Sequence, residues 1–369
     1  MKILILQDYL RSGGTERQTA LLANAFADAG HVTRLITFRP GGALDANINE
    51  RVTRRTLQRI DLGLDWFAPG LRKAVLAAEP DIVLCMGRMA NCYAGTVQRA
   101  LNRRRPGAAV VATMRTGKRL PLSFRRSLAE VPHVVANSRD ARDTLIREYR
   151  VPDAKIWVIH NSLVFPPEST LTRNETLRRQ HGATDRTNVM VCVAMFRPEK
   201  NQRELIEIVA RLPPTADWQL WLGGDGPARA ACEARAAALR LESRVKFLGF
   251  EADPSPIYRA ADIAVHASWS EALSNFLIEA QAHGLPAVAY EAQGIRECFI
   301  PLETGWAIPR DDHEAFRSAL LRLMAESASE RAERSALARE AARQTFDPAR
   351  QVAAYLELFE RIRADRLPT

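Results

Sequence analysis

The chain has 369 residues, 47% of them hydrophobic, and its 52 Lys and Arg against 43 Asp and Glu give a formal net charge of +9. This length exceeds what one hydrophobic core usually supports, so two domains are expected. No apolar run approaches the roughly 18 residues of a membrane span, and the start turns polar too soon for a signal peptide, which predicts a cytoplasmic protein. The five cysteines show neither disulfide-framework nor metal-finger spacing, so reduced thiols are expected.

The positive charge is concentrated in the first half of the chain. Residues 1–165 contain 26 Lys and Arg against 14 Asp and Glu, whereas the remainder contains 26 against 29. Nine basic residues and no acidic one lie between residues 99 and 126, interleaved with Leu120, Leu122 and Phe124. This pattern predicts peripheral binding to an anionic membrane at its inner face, with an Arg-rich solvated surface as the alternative. No recognised binding motif accompanies the charge, so nucleic acid is not an expected partner.

Short apolar runs alternate with helical patterns along the first half, which is typical of a doubly wound parallel sheet. The first strand is followed by the loop SGGTERQ (12–18), which opens a helix through Ala27. The loop is not a dinucleotide fingerprint, because Gly-x-Gly-x-x-Gly is absent, and this argues against an oxidoreductase. The predicted strands of this half lie near residues 3–6, 33–38, 82–85, 110–113, 134–136 and 157–160.

The second half repeats the scheme after a break at residues 162–172, where two prolines predict an interdomain linker. Its strands are predicted near residues 188–194, 218–222, 245–248, 263–267 and 287–289. Residues 314–345 are rich in Ala, Glu and Arg and predict a surface helix. The final segment predicts an amphipathic helix whose apolar face consists of Val352, Tyr355, Leu356 and Phe359.

The segment MFRPEKNQ (195–202) follows the first strand of the second half. Its position places Lys200 at the carboxyl edge of the predicted sheet, where ligands of α/β folds bind. We therefore expect Lys200 to contact a diphosphate and to stabilise its negative charge. Arg197 could supply a second charge there.

Two glutamates, Glu271 and Glu279, lie at the junction of an apolar run and a helical pattern that begins near Ser274. Ser274 is a natural N-cap, and the helix after it would direct free N–H groups and its positive dipole end toward Glu271, where an anion such as a diphosphate binds. An acidic side chain near a diphosphate is expected where it accepts hydrogen bonds from sugar or ribose hydroxyls. The pattern predicts a sugar-nucleotide site, although the spacing alone also fits a solvated helix face.

This segment resembles the Glu-x7-Glu region of the retaining, nucleotide-sugar-dependent glycosyltransferases of family 4. SGGTERQ, MFRPEKNQ, LGGDGP (222–227) and VKFLGF (245–250) resemble the same family in the right order. The resemblance implies an α/β GT-B fold with two Rossmann-like domains facing a central cleft. It also implies an acceptor-binding domain at 1–163, a nucleotide-sugar-binding domain at 172–345, and a helix at 346–369 that returns to the first domain.

The resemblance further implies a retaining transfer of a sugar from a UDP- or GDP-sugar to a hydroxyl of a glycan or lipid-linked acceptor. Cell-envelope polysaccharide, lipopolysaccharide or glycolipid synthesis is the expected setting, and neither a cofactor nor a metal is required. Glu271, Lys200 and Arg197 are the expected catalytic residues. The expected donor-binding residues are Gly13, Gly14, Gly224, Leu248, Leu273, Ser274, Asn275 and Glu279.

The chain departs from the family pattern at two places. Met195 stands where the family commonly has Arg, five positions before Lys200. Arg115 falls near the position of a family histidine and could hold a phosphate of donor or acceptor in a bidentate contact. His160 and His266, the latter in the strand before Glu271, could each line the cleft. Two alternatives stay open: a catalytically silent membrane-associated assembly subunit, which Met195 favours, and a GT-B sugar-nucleotide epimerase.

Overall fold

The computed structural model describes residues 1–11 and 13–365. Ser12 of the SGGTERQ segment and the last four residues of the predicted final helical domain therefore lie outside the described residues. The chain forms two compact units, Met1–Ser162 together with Pro348–Thr369, and Leu163–Asp347.

The first unit is built on a seven-stranded sheet. Its strands are β1 (Lys2–Gln7), β2 (Val32–Thr37), β3 (Thr53–Thr56), β4 (Ile82–Cys85), β5 (Ala109–Met114), β6 (His133–Ala136) and β7 (Ile156–Val158). Their order is β3-β2-β1-β4-β5-β6-β7 with every pairing parallel. The helices between them are α1 (Gly14–Asp28), α2 (Leu71–Ala78), α3 (Arg88–Arg104), α4 (Leu122–Glu130) and α5 (Arg139–Arg147).

The second unit repeats this plan with a six-stranded parallel sheet. Its strands are β8 (Asn188–Val193), β9 (Trp218–Gly223), β10 (Val245–Gly249), β11 (Ile263–His266), β12 (Ala287–Tyr290) and β13 (Gly305–Ile308). Their order is β10-β9-β8-β11-β12-β13. The helices are α6 (Glu175–Gln180), α7 (Gln202–Val209), α8 (Arg229–Ala238), α9 (Ser255–Ala260), α10 (Asn275–Ala282), α11 (His313–Met324) and α12 (Ala328–Phe346).

The sequence missed one strand in each sheet. β3 has the sequence TRRT, and all four side chains are exposed, so it carries no apolar signal and pairs only with β2 at the sheet edge. β13 is a four-residue edge strand that starts at Gly305. The predicted surface helix at 314–345 is two helices, and the first of them buries Phe316, Leu320 and Leu323, so it is not a surface helix throughout.

In each sheet the order in which strands are added reverses at the first strand, so that later strands continue on its other side. β1 lies between β2 and β4, and β8 lies between β9 and β11. At such a switch point the loops after the two neighbouring strands diverge and leave a crevice at the carboxyl edge, where ligands of open α/β sheets bind. The topology therefore marks the loops after β1 and β4, and those after β8 and β11, as the places to look for a site.

The last helix, α13 (Pro348–Ala364), belongs to the first unit, as the family resemblance implied. Its Tyr355 and Phe359 rings pack edge-on against Phe26 of α1, with centroids 6.2 and 5.6 Å away. Of the predicted apolar face, Tyr355 and Phe359 are fully buried, whereas Val352 and Leu356 are half-buried. Aromatic packing thus attaches the end of the chain to its beginning.

The basic stretch at 99–126 exposes only one of the three apolar side chains that were predicted to meet lipid. Leu120 and Phe124 are 4% and 1% exposed and lie in the core of the first unit, whereas Leu122 is 68% exposed. The expectation that all three side chains meet lipid is therefore wrong for two of them, because α4 turns residue 124 inward. Among the described helices, none combines the length and apolar character needed to cross a bilayer.

Phe359→Ala should destabilise the first unit by about 3–5 kcal/mol, because it leaves a cavity between α1 and α13. Glu357→Ala, on the exposed side of the same helix, is the matched control and should change stability by less than about 0.5 kcal/mol. Denaturant unfolding combined with hydrogen exchange of β1 amides measures both. Equal protection of β1 in the two variants would show that α13 does not stabilise this unit.

Candidate functional site

Lys200 is held at the carboxyl end of β8 by the loop that joins this strand to α7. Residues Pro198–Lys200 form a 3-10 turn, and Asn201, with φ +53°, turns the chain into α7. The side chain of Gln202 donates to the carbonyls of Ala194 and Met195 at 3.3 and 3.2 Å. Gln202, the first residue of α7, therefore stabilises the loop that carries Lys200.

Glu271 lies in the loop between β11 and α10, the neighbouring strand at the switch point. The Ser268 hydroxyl and the Trp269 backbone N–H both donate to the carbonyl of Glu199, at 3.0 and 3.1 Å. These bonds join the loop after β11 to the loop after β8. The two predicted residues, Lys200 and Glu271, are consequently brought together from 71 positions apart in sequence.

The centre of the site is a three-residue cluster on one carboxylate oxygen. Lys200 Nζ lies 2.5 Å from Glu271 Oε1, and His266 Nε2 lies 2.7 Å from the same oxygen. The side chains of His266 and Glu271 are buried, whereas that of Lys200 is 23% exposed. A buried charge needs a paired partner, and here Glu271 is paired with a lysine whose side chain stays partly exposed.

The protonation states of the cluster follow from burial and charge. Burial alone would raise the pKa of Glu271, but the attraction of Lys200 and the hydrogen bond from His266 outweigh it and hold the pKa below its usual range. Burial lowers the pKa of His266 despite the neighbouring carboxylate. At neutral pH Glu271 is therefore a carboxylate and His266 a neutral imidazole.

The tautomer of that imidazole follows from its contact with Glu271. The carboxylate oxygen 2.7 Å from Nε2 accepts, so the ring proton lies on Nε2 and Nδ1 is the acceptor nitrogen. Cys192 Sγ in β8 lies 3.9 Å from Nδ1, and burial raises the pKa of the thiol to about 12, so the sulfur stays protonated and faces this acceptor. His266 and Cys192 thus orient the carboxylate from behind. The position of His266 at the end of an apolar strand predicted a residue that could line the cleft, but no motif predicted its contact with Glu271.

The helix α10 begins where the sequence predicts. Ser274 is its N-cap, and the serine hydroxyl accepts a hydrogen bond from the N–H of Leu277. Leu273 is buried and Asn275 is half-buried on either side of the cap. Glu279, on the same helix, is half-buried and accepts a hydrogen bond of 2.7 Å from the Tyr258 hydroxyl. Tyr258 is a further site residue that sequence reasoning missed, because α9 carries no motif.

A glycine in the turn after β9 lets this turn approach the loop that carries Lys200. Gly224 has φ +122° and lies against the carbonyl of Ala194, where any Cβ would overlap that oxygen. Phe196 N–H donates to the carbonyl of Asp225 at 2.9 Å, and the Asp225 carboxylate accepts from Gly226 N–H at 2.7 Å. The LGGDGP turn therefore braces the loop before Lys200, and Asp225 shapes the turn. Leu248, on β10 beside it, is half-buried.

Arg197 is exposed, and its Nε lies 2.9 Å from Met195 Sδ. Within the described part of the chain it forms no ion pair with Glu271. The structure thus brings Lys200 and Glu271 together but leaves Arg197 outside their cluster, where it contacts the exposed side chain of Met195.

The candidate residues of the first unit lie at the carboxyl edge of its own sheet. Gly13 precedes α1 as its N-cap, and Gly14 is the first helical residue. Arg115 follows β5 and donates to Asn161 Oδ1 at 2.5 Å and to the Tyr355 hydroxyl at 2.6 Å. These partners are neutral, so the half-buried guanidinium keeps its positive charge uncompensated by a carboxylate. His160, predicted at a strand end, lies two residues beyond the end of β7.

Asp8 is a site residue of the first unit that the sequence analysis missed. It follows β1 and accepts hydrogen bonds from the N–H groups of Met89 and Ala90, at 2.9 and 2.6 Å, at the start of α3. A Cβ at Gly87 would overlap the Asp8 carboxylate, so a larger residue there would require Asp8 to shift. Burial raises the pKa of Asp8 to about 7 despite these hydrogen bonds. The signal available was its place directly after the first strand.

The described residues contain no group of three or more His, Cys, Asp or Glu side chains placed to hold a metal ion. All five cysteines are free thiols, four of them buried.

Two doubly wound parallel sheets, with the last helix returned to the first unit, define the GT-B class of fold. A crystal structure of Anabaena Alr3699/HepE in complex with UDP matches this chain with a TM-score of 0.82 at 23% identity, over 98% of this chain and 100% of the other. At that identity the likeness concerns the fold.

Two family models together match most of the chain. Glycosyl transferases group 1 matches residues 173–344, and Glycosyltransferase Family 4 matches residues 12–163. The chain belongs to this glycosyltransferase family and has its GT-B fold.

Two curated relatives show the same family. A lipopolysaccharide core biosynthesis glycosyltransferase, LpsE of Rhizobium meliloti (strain 1021), is 33% identical over 38% of this chain and 40% of the relative. A D-inositol 3-phosphate glycosyltransferase of Rhodococcus opacus (strain B4) is 32% identical over 58% of this chain and 50% of the relative. The chain thus spans half the length or less of these relatives.

Asp8→Asn should gain stability relative to the wild type as pH rises. The pKa of Asp8 increases from its ordinary 3.8 to about 7 on folding, so the folded state keeps a proton that the unfolded chain releases. Wild-type stability from this group therefore falls between about pH 4 and pH 7, whereas Asn does not titrate. The difference in Tm between the two proteins, measured across this range, tests it.

Asp153→Asn is the control. The hydrogen bond from Arg142 lowers the pKa of the Asp153 carboxyl in the wild type. The contribution of this carboxyl to the free energy of unfolding is therefore complete above the ordinary carboxyl pKa and is lost only as pH falls below it. A Tm difference for Asp8→Asn that is as flat as the control above pH 4 would contradict the assignment.

Proposed function

We propose that the protein is a retaining glycosyltransferase that moves a sugar from a UDP- or GDP-sugar to an acceptor hydroxyl. The observation that carries the proposal is the pairing of Lys200 with Glu271 at the switch point between β8 and β11. A partly accessible ammonium beside an ionised carboxylate suits a ligand that has both an anionic group and hydroxyls. Sugar nucleotides have this combination, and family membership supports the same reading.

The diphosphate of the donor would bind Lys200 and the amino end of α10. The ammonium has two further donors besides the one facing Glu271, and the amino end of α10 after Ser274 adds the positive end of the helix dipole. Both stabilise the charge that develops on the diphosphate as its bond to the sugar breaks. Gly224 and the loop it braces would allow close approach of the nucleotide, with Leu248 near its base.

The two glutamates would accept hydrogen bonds from hydroxyls. Glu271, ionised and oriented by His266, would hold the sugar, and Glu279, oriented by Tyr258, would hold the ribose. Neither is then placed as a covalent nucleophile. In the transfer, the anomeric carbon loses its bond to the phosphate oxygen and gains one to the acceptor oxygen on the same face, while the leaving phosphate takes the acceptor proton. This gives retention without a protein nucleophile or a metal.

We assign acceptor binding to the first unit and donor binding to the second. Arg115 and His160 are the acceptor candidates, with Gly13 and Gly14 contacting acceptor or donor. The named relatives act in lipopolysaccharide core biosynthesis and on inositol 3-phosphate. A glycan or lipid-linked acceptor of the cell envelope, reached from the cytoplasmic face of the membrane, is the substrate we propose on this basis.

One observation favours a second candidate, a catalytically silent donor-binding subunit. Met195 replaces the family arginine, and the structure places Arg197 against it and outside the Lys200 cluster. Such a subunit would bind the donor without turning it over.

Lys200→Ala should weaken donor binding by about 10–100-fold, because a hydrogen bond to a charged group contributes about 1.5–3 kcal/mol. The measurement is thermal stabilisation of the full chain by a panel of UDP- and GDP-sugars. Arg186→Ala removes an exposed charge of the same unit and serves as the control. A wild-type protein that none of these donors stabilises would refute the proposed donor class.

Glu271→Ala should lower turnover by about 100-fold or more while donor binding persists, because Lys200 is then free to bind the diphosphate. Glu314→Ala, on the exposed face of α11, is the matched control. Release of free nucleotide with a glycan or lipid-linked acceptor measures turnover. Near wild-type turnover in Glu271→Ala would show that the central assignment is wrong, and donor binding without turnover in the wild type would favour the silent subunit.

A further inference from the structure

The segment between β3 and α2 displays an apolar surface that the fold does not use. Five large apolar side chains are at least 37% exposed within eight residues, with Ile60 at 74% and Trp66 at 57%. Single exposed apolar residues are ordinary on protein surfaces, but a contiguous set marks an interaction site. This set, called the apolar loop below, comprises Ile60, Leu62, Leu64, Trp66 and Phe67.

The apolar loop is held in shape by hydrogen bonds to its backbone. The buried amide of Gln58 donates to the carbonyls of Leu64 and Phe67, at 2.8 and 2.6 Å. The Tyr93 hydroxyl of α3 donates to the carbonyl of Trp66 at 2.6 Å. Because the backbone is tied inward at these points, the apolar side chains are presented outward as a formed surface.

The two acidic residues of the loop are neutralised from within. Asp61 binds Arg39 through two hydrogen bonds of 2.8 and 2.9 Å, and Asp65 binds both Arg39 and Arg11, at 2.7 and 2.8 Å. The hydrogen bonds from Arg39 lower the pKa of Asp61 to about 2, so the ion pair persists across the physiological pH range. The arginines thus cancel the only negative charges on this segment.

The residues that flank the loop are basic. Arg51 and Arg54 are paired with Asp28 and Asp45. The four remaining basic side chains between residues 51 and 73 are exposed and form no ion pair with any described residue. These four are Arg55, Arg59, Arg72 and Lys73. The loop therefore combines exposed aromatic and aliphatic side chains with an uncompensated positive rim.

We propose that the apolar loop docks the protein on an anionic phospholipid surface. Trp66 and Phe67 suit the headgroup level of a bilayer, where aromatic rings concentrate, and each basic side chain near the surface adds an attraction to anionic lipid. The charge of the rim favours this partner over an uncharged protein surface. The docking site lies in a segment that sequence analysis passed over, because its alternating pattern lacks a basic run.

The inference deepens the proposed function and rests on it for one consequence. The loop leaves β3 at the carboxyl edge of the parallel sheet, the edge that also carries Asp8, Gly13 and Arg115. Docking at this edge would bring a lipid-linked acceptor to the unit we assign to acceptor binding. Lipid binding itself is independent of the identity of the donor.

The test is co-sedimentation of the full chain with phosphatidylcholine vesicles that contain or lack phosphatidylglycerol. We expect binding only to the anionic vesicles, and a loss of about tenfold or more in affinity for the double variant Trp66→Ser/Phe67→Ser, because both aromatic anchors are lost. Leu302→Ser, 72% exposed in the second unit, is the matched control. Leu122→Ser, at the basic stretch, separates the two candidate surfaces.

Two further measurements test the basic rim and the insertion of Trp66 separately. Arg59→Glu/Lys73→Glu should lose vesicle binding without touching the apolar side chains, and a tryptophan blue shift on anionic vesicles should be absent in Trp66→Phe. Donor stabilisation should be unchanged in all of these variants. If the wild type ignores anionic vesicles, if only Leu122→Ser impairs binding, or if the apolar loop instead mediates a dimer that the double variant dissociates, the proposal is overturned.

Discussion

The buried carboxylate of Glu271 is the constraint on which the site depends. A buried charge is unfavourable unless it is paired and hydrogen-bonded, and here one oxygen receives both the Lys200 ammonium and the His266 Nε2–H. The pairing fixes the relative position of two loops that leave adjacent strands. The Lys200 side chain stays partly exposed, so the group that stabilises the buried carboxylate is also the one proposed to receive the diphosphate.

The backbone around this cluster is arranged to keep the loops in contact. The carbonyl of Glu199 accepts two hydrogen bonds from the loop after β11, and Gly224 permits the turn after β9 to lie against Ala194. These contacts join the loops at the carboxyl ends of three neighbouring strands, β9, β8 and β11, of one parallel sheet. A parallel sheet gathers such ends at one edge, which explains how residues distant in sequence form one site.

The two units differ in how their basic side chains are paired. In the second unit the functional cation is paired with a buried acid, whereas in the first unit the exposed basic residues remain unpaired beside the apolar loop and Arg115 is held by neutral groups. The excess of positive charge in the first half of the chain therefore has a structural basis. In the described part of the chain, Arg55, Arg59, Arg72 and Lys73 form no ion pair, and the acids of the apolar loop are already occupied by Arg11 and Arg39.

The sequence by itself determined the alternation of strands and helices, the cap at Ser274 and the position of Lys200 and Glu271 after two strands, because periodicity, capping and strand-end position are local properties. It could not find β3, whose four residues are polar and exposed, nor Tyr258 and Asp8, which no motif marks. It also misplaced the lipid-facing side chains, since burial of Leu120 and Phe124 depends on packing. Only the tertiary structure decided which charges are paired and which apolar residues stay exposed, because both depend on contacts between distant segments.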